Sequence, residues 1–177
     1  DRGGDLLTLR PEMTAPIARA AIELNLVRHQ PTSRLWYYGP LFRYERPQKG
    51  RYRQFWQFGA ELLGSPHPEA DAEIILLASE TLKEIGLSGL VLEVTSLGVG
   101  DERTRYREAL VAYFNEHQNK LSEDSQRRLS TNPLRILDSK DPADRDVVAD
   151  APVMMDFLDD SSLAHFTTVL SLLDTAG

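Results

Sequence analysis

The sequence predicts an α/β chain of the α+β type, with an antiparallel sheet flanked by helices and a small helical insertion. Two aromatic-rich runs, Arg34 to Glu45 and Arg53 to Leu63, read as strands joined through a loop that Pro47 and Gly50 punctuate. After them, Ala72, Ile75, Ala78, Leu82 and Ile85 recur at three- and four-residue spacing, the signature of a helix with one apolar stripe. From Asp101 the chain turns polar and helical, which marks a separate module.

The elements follow in order. Asp1-Arg2-Gly3-Gly4-Asp5 reads as a hairpin tip leading into a strand over Leu6 to Leu9. Thr14, or the residues just before it, can cap a helix whose Pro16 sits near the first helical position; Ile17, Ala20, Ala21 and Leu24 form its stripe, and it is expected to end near Arg28. The two aromatic strands come next. A second helix starts around Pro68-Glu69 and is closed by Gly86, since glycine accepts the left-handed conformation that terminates helices. Leu90 to Leu97 alternates apolar and polar residues as a strand does, and Gly98-Val99-Gly100 ends it. Asp101 to His117 is read as an amphipathic helix with Tyr106, Leu110, Tyr113 and Phe114 inward. Ser122 to Ser130 is a shorter helix opened by a Ser-Glu-Asp-Ser cap, and Asn132-Pro133 forces a break. Pro152 to Leu158 and Ser161 to Thr175 read as short helices and turns. The expected organisation is a sheet-bearing part over 1–100, a helical insertion over 101–160, and a helix over 161–177 leading back to the sheet.

Composition narrows the function classes. With 177 residues, 41% hydrophobic and 27% charged, the chain can bury a core of one domain plus a small appendage. No apolar run approaches the ~20 residues of a membrane-spanning helix, and the opening residues lack the basic and apolar regions of a signal peptide. The chain has no cysteine, so disulfide, thiolate-metal and thiol-nucleophile chemistry are excluded, and a cytoplasmic setting is expected. His29, His67, His117 and His165 are scattered without ligand spacing, so no protein-ligated metal is expected.

Charge is unevenly placed. The formal net charge is -7, yet Arg43, Arg46, Lys49, Arg51 and Arg53 stand against the single acid Glu45 between residues 43 and 53. Clustered cations are usually a solvated surface. Here the arginines interleave with aromatics, and residues two apart on a strand, such as Arg43 and Glu45, share a face. A cationic hairpin tip of this kind suits a polyanion such as a phosphate chain.

The run FRYERPQKGRYRQF over Phe42–Phe55 resembles motif 2 of class II aminoacyl-tRNA synthetases, and specifically that of the histidyl-tRNA synthetases. TLRPEMTAPIARA over Thr8–Ala20 is similar to that family's Arg-Pro-Glu-x-Thr segment, and TNPLRILDSKDP over Thr131–Pro142 resembles its insertion domain. The resemblance implies activation of L-histidine by ATP with Mg²⁺ as counter-ion, followed by transfer to tRNA(His), in a homodimeric parent. It assigns Arg43 as the catalytic residue, bridging the substrate carboxylate and the α-phosphate with a planar fork that lysine lacks. Its alternative role is an ion pair with Glu45 or Glu61. ATP binding is implied for Arg43, Glu45, Arg51 and Phe55, with Phe55 stacking on adenine, although a strand aromatic is more often core.

Histidine recognition needs acceptors for an ammonium and for imidazole N–H groups. The resemblance places these at Glu12, Thr14, Gln57 and Glu61, with Arg43 on the carboxylate. For Glu12 the competing role is a helix-start acid favoured by the dipole, and for Thr14 a cap. Arg46, Gln48, Lys49 and Arg53 are the candidates for tRNA phosphates, weighed evenly against simple solubility. In the insertion, Arg127, Arg128, Arg135 and Lys140 form the basic cluster that could touch the acceptor arm.

Two positions depart from the family pattern, Met13 where glycine is common and Trp56 where histidine is common. Other readings remain open: the family's regulatory paralogue, which associates with ATP phosphoribosyltransferase and does not aminoacylate; an RNA-binding pseudo-synthetase module; and a purely structural piece. Retention of Arg43, Glu45, Arg51 and Phe55 together favours the ligase. By the same resemblance the chain is expected to be a piece of a longer protein, with motif 1 upstream and motif 3 and an anticodon-binding domain downstream, and to be inactive in isolation.

Overall fold

The computed structural model describes residues 3, 4, 6–29 and 31–177, so part of the expected hairpin tip lies outside the described residues. Two compact units divide between Ser88 and Gly89. The first carries α1 (Thr14–Glu23), α2 (Leu26–His29), β1 (Ser33–Phe42), β2 (Gln54–Leu63) and α3 (Pro68–Glu84). The second carries α4 (Asp101–Glu116), α5 (Glu123–Thr131), α6 (Arg145–Ala149) and α7 (Asp160–Ala176), with short 3-10 turns between them.

β1 and β2 form an antiparallel pair in unbroken register from Ser33 opposite Leu63 to Phe42 opposite Gln54. Because side chains alternate, Leu35, Tyr37, Gly39 and Leu41 share one face with Phe55, Gln57, Gly59 and Glu61. On that face Tyr37, Gly39 and Leu41 are buried. The opposite face presents Trp36, Tyr38, Trp56 and Phe58 largely exposed. Trp56 lies on the face opposite to that of Gln57, and its ring packs on Tyr38 with centroids 4.9 Å apart.

Several sequence expectations are corrected. The helix expected to run to Arg28 is two helices, because Asn25 takes φ 52°, a left-handed conformation that asparagine tolerates better than most residues. Leu6 to Leu9 forms no ladder, and Leu6, Leu7 and Leu9 are exposed. Leu90 to Leu97 likewise forms no strand. The reason is common to both: an apolar run becomes a strand only where a neighbour supplies the hydrogen bonds, and among the described residues neither segment pairs in a ladder. β1 also ends at Phe42, short of Glu45, although one more cross-strand bond follows from Arg43 N–H to the Arg53 carbonyl at 2.9 Å.

α3 has the start and stop the sequence suggested. Pro68 occupies the first turn with Glu69 and Asp71, where acids complement the helix dipole. At the other end Gly86 has φ 88° and donates to Lys83 at 2.9 Å, while Leu87 donates to Leu82 at 3.0 Å, the paired bonds of a Schellman cap. Arg34 grips Glu73 with both prongs of its fork, at 2.5 and 2.7 Å, and so ties β1 to α3.

The second unit has its own core of Tyr106, Leu110, Phe114, Leu121, Leu129, Ile136, Val147, Ala151 and Met154. Tyr113 packs at its edge and donates to the Val147 carbonyl at 3.0 Å. The Ser122 cap forms as expected, its hydroxyl accepting from Ser125 N–H at 3.3 Å. Two buried carboxylates organise this unit. Glu102 accepts from Val99 N–H at 2.6 Å and Asp159 N–H at 2.7 Å, joining the two ends of the module. Asp144 accepts from Ser122 N–H at 2.7 Å and from the hydroxyls of Ser122, Ser125 and Ser139 at 2.9, 2.6 and 2.5 Å.

Candidate active site on the strand pair

The more buried face of the strand pair carries Phe55, Gln57 and Glu61, while Glu45, Arg46, Gln48, Lys49, Arg51 and Arg53 lie in the loop between the strands. The segment before α1 is fastened to the end of β1 by three bonds: Phe42 N–H to the Arg10 carbonyl at 2.9 Å, Arg10 Nε to the Pro40 carbonyl at 2.9 Å, and Arg43 Nε to the Pro11 carbonyl at 2.8 Å. Glu12 and Thr14 are thereby brought from the first turn to the strands. The Thr14 hydroxyl donates to Glu61 Oε1 at 2.6 Å, so two of the proposed histidine acceptors meet across 47 positions of sequence.

Arg43 lies one residue past β1, with its guanidinium carbon 5.0 Å from the centre of the Phe55 ring. The ion pair with Glu45 or Glu61 that the sequence left open is absent. Glu45 instead lies 3.6 Å from Arg51, and Glu61 is engaged by Thr14. With Nε spent on a carbonyl, the cation is aimed by a backbone oxygen and an aromatic face, neither of which cancels its charge.

The loop resolves into a smaller hairpin. Gln48 and Arg51 exchange backbone bonds of 3.4 and 2.9 Å, leaving Lys49 and Gly50 as the two tip residues. Gly50 has φ 79°, which a type II turn requires at its third position. Lys49 and Arg46 are exposed. Arg53 is more committed: its guanidinium lies 4.6 Å from the Tyr44 ring centre and Nε donates to the Glu45 carbonyl at 3.3 Å. In the second unit Arg127 and Arg128 both pair with Asp124, which leaves Arg135 and Lys140 without an ion pair among the described residues.

The competing roles of the acids and caps can also be placed. Glu12 accepts from Ala15 N–H at 3.0 Å, so it does cap the first turn of α1. Thr14 does not cap; the cap position is Met13, with no side-chain bond. At φ -118° Met13 has ordinary backbone geometry, and nothing there demands glycine.

Sequence reasoning missed Tyr37. Its hydroxyl accepts from Gln57 Nε2 at 2.8 Å, and its ring covers Gly59 so closely that a β-carbon there would lie 2.4 Å from the phenol. The signal was present in the strand register, where Gly59 stands opposite Tyr37. Arg10 was missed as well; a β-carbon on Gly39 would lie 2.6 Å from its guanidinium.

This basic strand-loop-strand, bound to an Arg-Pro-Glu-x-Thr turn and set among helices, is the architecture of a class II aminoacyl-tRNA synthetase. The crystal structure of apo histidyl-tRNA synthetase from S. aureus matches it with a TM-score of 0.71 and 36% identity, over 100% of this chain and 41% of that one. A family profile described as histidyl-tRNA synthetase matches residues 1–142. The chain belongs to the histidyl-tRNA synthetase family. Among similar proteins are the histidine–tRNA ligases of Halorhodospira halophila, 55% identical over 177 residues, and Burkholderia thailandensis, 52% identical over 170 residues. The alignments cover 100% and 96% of this chain but 42% and 38% of those ligases, so it spans about two fifths of their length.

Proposed function

We propose that the full protein is a histidine–tRNA ligase that condenses L-histidine with ATP to histidyl-adenylate and pyrophosphate, then transfers the histidyl group to the 3′ end of tRNA(His). The observation that carries this is Arg43: a guanidinium fixed by Pro11 and Phe55, with no carboxylate paired to it among the described residues. Adenylate formation brings a carboxylate against the α-phosphate, and negative charge builds on the phosphorus oxygens in the transition state. A pre-aimed, unneutralised fork is suited to bridge both groups.

In this reading Phe55 stacks on adenine, Glu45 lies near the adenine and the ATP phosphates, and Arg51 contacts the terminal phosphates. Mg²⁺ enters with ATP as its counter-ion; among the described residues no cluster of three His, Asp or Glu side chains is arranged to hold a metal. Glu12, Thr14, Gln57 and Glu61 receive the ammonium and imidazole of histidine, and the 101–160 module serves as the helical insertion. The reading includes a cytoplasmic homodimer. No helix of the described residues is long and apolar enough to cross a membrane.

The test is amino-acid-dependent ATP–pyrophosphate exchange by the full-length protein, with histidine set against the other amino acids. Histidine-dependent exchange is expected; a folded full-length protein with no exchange would overturn the proposal in favour of the regulatory paralogue or an RNA-binding pseudo-synthetase. The hairpin tip has its own prediction. Lys49→Ala is expected to raise the KM for tRNA by a few-fold and to lower the slope of log affinity against log salt by about 1, with histidine activation unchanged. A selective loss of activation would contradict a tRNA-phosphate role.

A further inference from the structure

We infer that Tyr37 is a positioning residue for amino-acid selection: it holds the Gln57 carboxamide with its N–H edge turned inward and its carbonyl oxygen presented as the acceptor for a substrate N–H. This rests on the histidine-binding reading of Gln57. The geometry is specific. Gln57 Nε2 donates to the Tyr37 hydroxyl at 2.8 Å, and the carbonyl oxygen of the same amide has no hydrogen-bond partner among the described residues. One of the two carboxamide N–H groups is spent on the phenol oxygen, which fixes the plane of the amide and leaves its carbonyl oxygen to accept. Held in this way, it rewards a ligand group that carries an N–H and would be left as an unpaired polar oxygen without one.

Three features keep Tyr37 where this requires it. It is buried in the middle of β1, and its phenol lies over Gly59, the residue directly opposite. At Gly59 even a methyl group would meet the phenol carbon and oxygen at 2.4 Å, so the absence of a side chain there makes room for the hydroxyl to reach Gln57. Gln57 and Glu61 share the face with Gly59 between them, which puts the oriented amide and the Thr14-bound carboxylate on one surface. Tyr37 thus acts through Gln57 and need not touch the substrate.

Tyr37→Phe in the full-length protein removes the hydroxyl and keeps the ring. The expected result is a rise of roughly tenfold in the KM for histidine, the worth of one well-made hydrogen bond, with kcat and the KM for ATP within about twofold. In a Gln57→Ala background the Tyr37→Phe change should add nothing, since the two act as one unit. Gly59→Ala, which displaces the phenol, should reproduce the histidine KM defect. An unchanged histidine KM in Tyr37→Phe, equal rises in the KM for histidine and ATP, or full additivity with Gln57→Ala would each overturn the inference. A wild-type protein with no histidine-dependent exchange would instead remove the histidine-binding reading beneath it, so the two failures are distinct.

Discussion

Replacing Arg43 with alanine in the full-length protein is expected to lower histidine-dependent ATP–pyrophosphate exchange by about 10³-fold, the scale on which losing one pre-aimed transition-state donor is felt. The fold should survive, because among the described residues the Arg43 side chain holds a carbonyl and a ring: Pro11 through Nε at 2.8 Å, and Phe55 through its face. Arg43→Lys should recover little. A lysine restores the charge but not the planar fork, and it cannot both bond Pro11 and present two parallel donors. Exchange within a few-fold of wild type in Arg43→Ala would remove the residue from the chemistry.

The largest stability effect is expected in the other unit. Asp144→Ala should destabilise residues 89–177 by about 3 kcal/mol, because it strands one backbone N–H and hydroxyls of Ser122, Ser125 and Ser139 in a buried site. Native-state hydrogen exchange across this unit measures it without requiring the whole protein to unfold as one. Protection unchanged in α5 would refute the assignment. Burial by itself would raise the Asp144 pKa, but the hydrogen bonds from Ser125, Ser139 and Ser122 outweigh it and hold the carboxyl below its usual range. A depressed folded-state value gives stability that is present above the ordinary aspartate pKa of about 3.9 and lost as the pH falls below it. Glu102 shifts the same way: the N–H groups of Asp159 and Val99 favour its charged form. Acid should therefore loosen this unit, and Asp144→Asn should flatten that response.

How much of this could be read from the sequence depends on whether local signals met a local partner. The α3 cap, the Ser122 cap and the inward triad Tyr106, Leu110 and Phe114 of α4 are decided within a few residues, and they were legible. The strand pair was legible because its two halves are joined by one short loop. Leu6 to Leu9 and Leu90 to Leu97 both read as strands, the second by its alternation, but a ladder is a property of two segments, and one segment's pattern cannot report its partner. The split at Asn25 was missed because helical spacing continues through a left-handed residue that interrupts the helix. At the candidate site, residue types were readable and pairings were not. Thr14 was plausible as a cap until Glu61 was seen 2.6 Å away, and the aromatic Tyr37 gave no sign of its polar tip until the register set it over Gly59.

Asp144 has no ion-pair partner among the described residues. Its charge is met by three hydroxyl dipoles and one amide dipole, and the residue is fully buried. Mobile salt screens exposed charges over ~10 Å at 0.1 M but does not enter such a site. The basic hairpin tip at Lys49 is the opposite case, an exposed charge whose attraction for phosphates weakens as salt rises. Ionic strength and acidity are thus expected to act on different features of this chain: salt on the exposed charges of the hairpin tip, and acid on the buried carboxylate that organises the second unit.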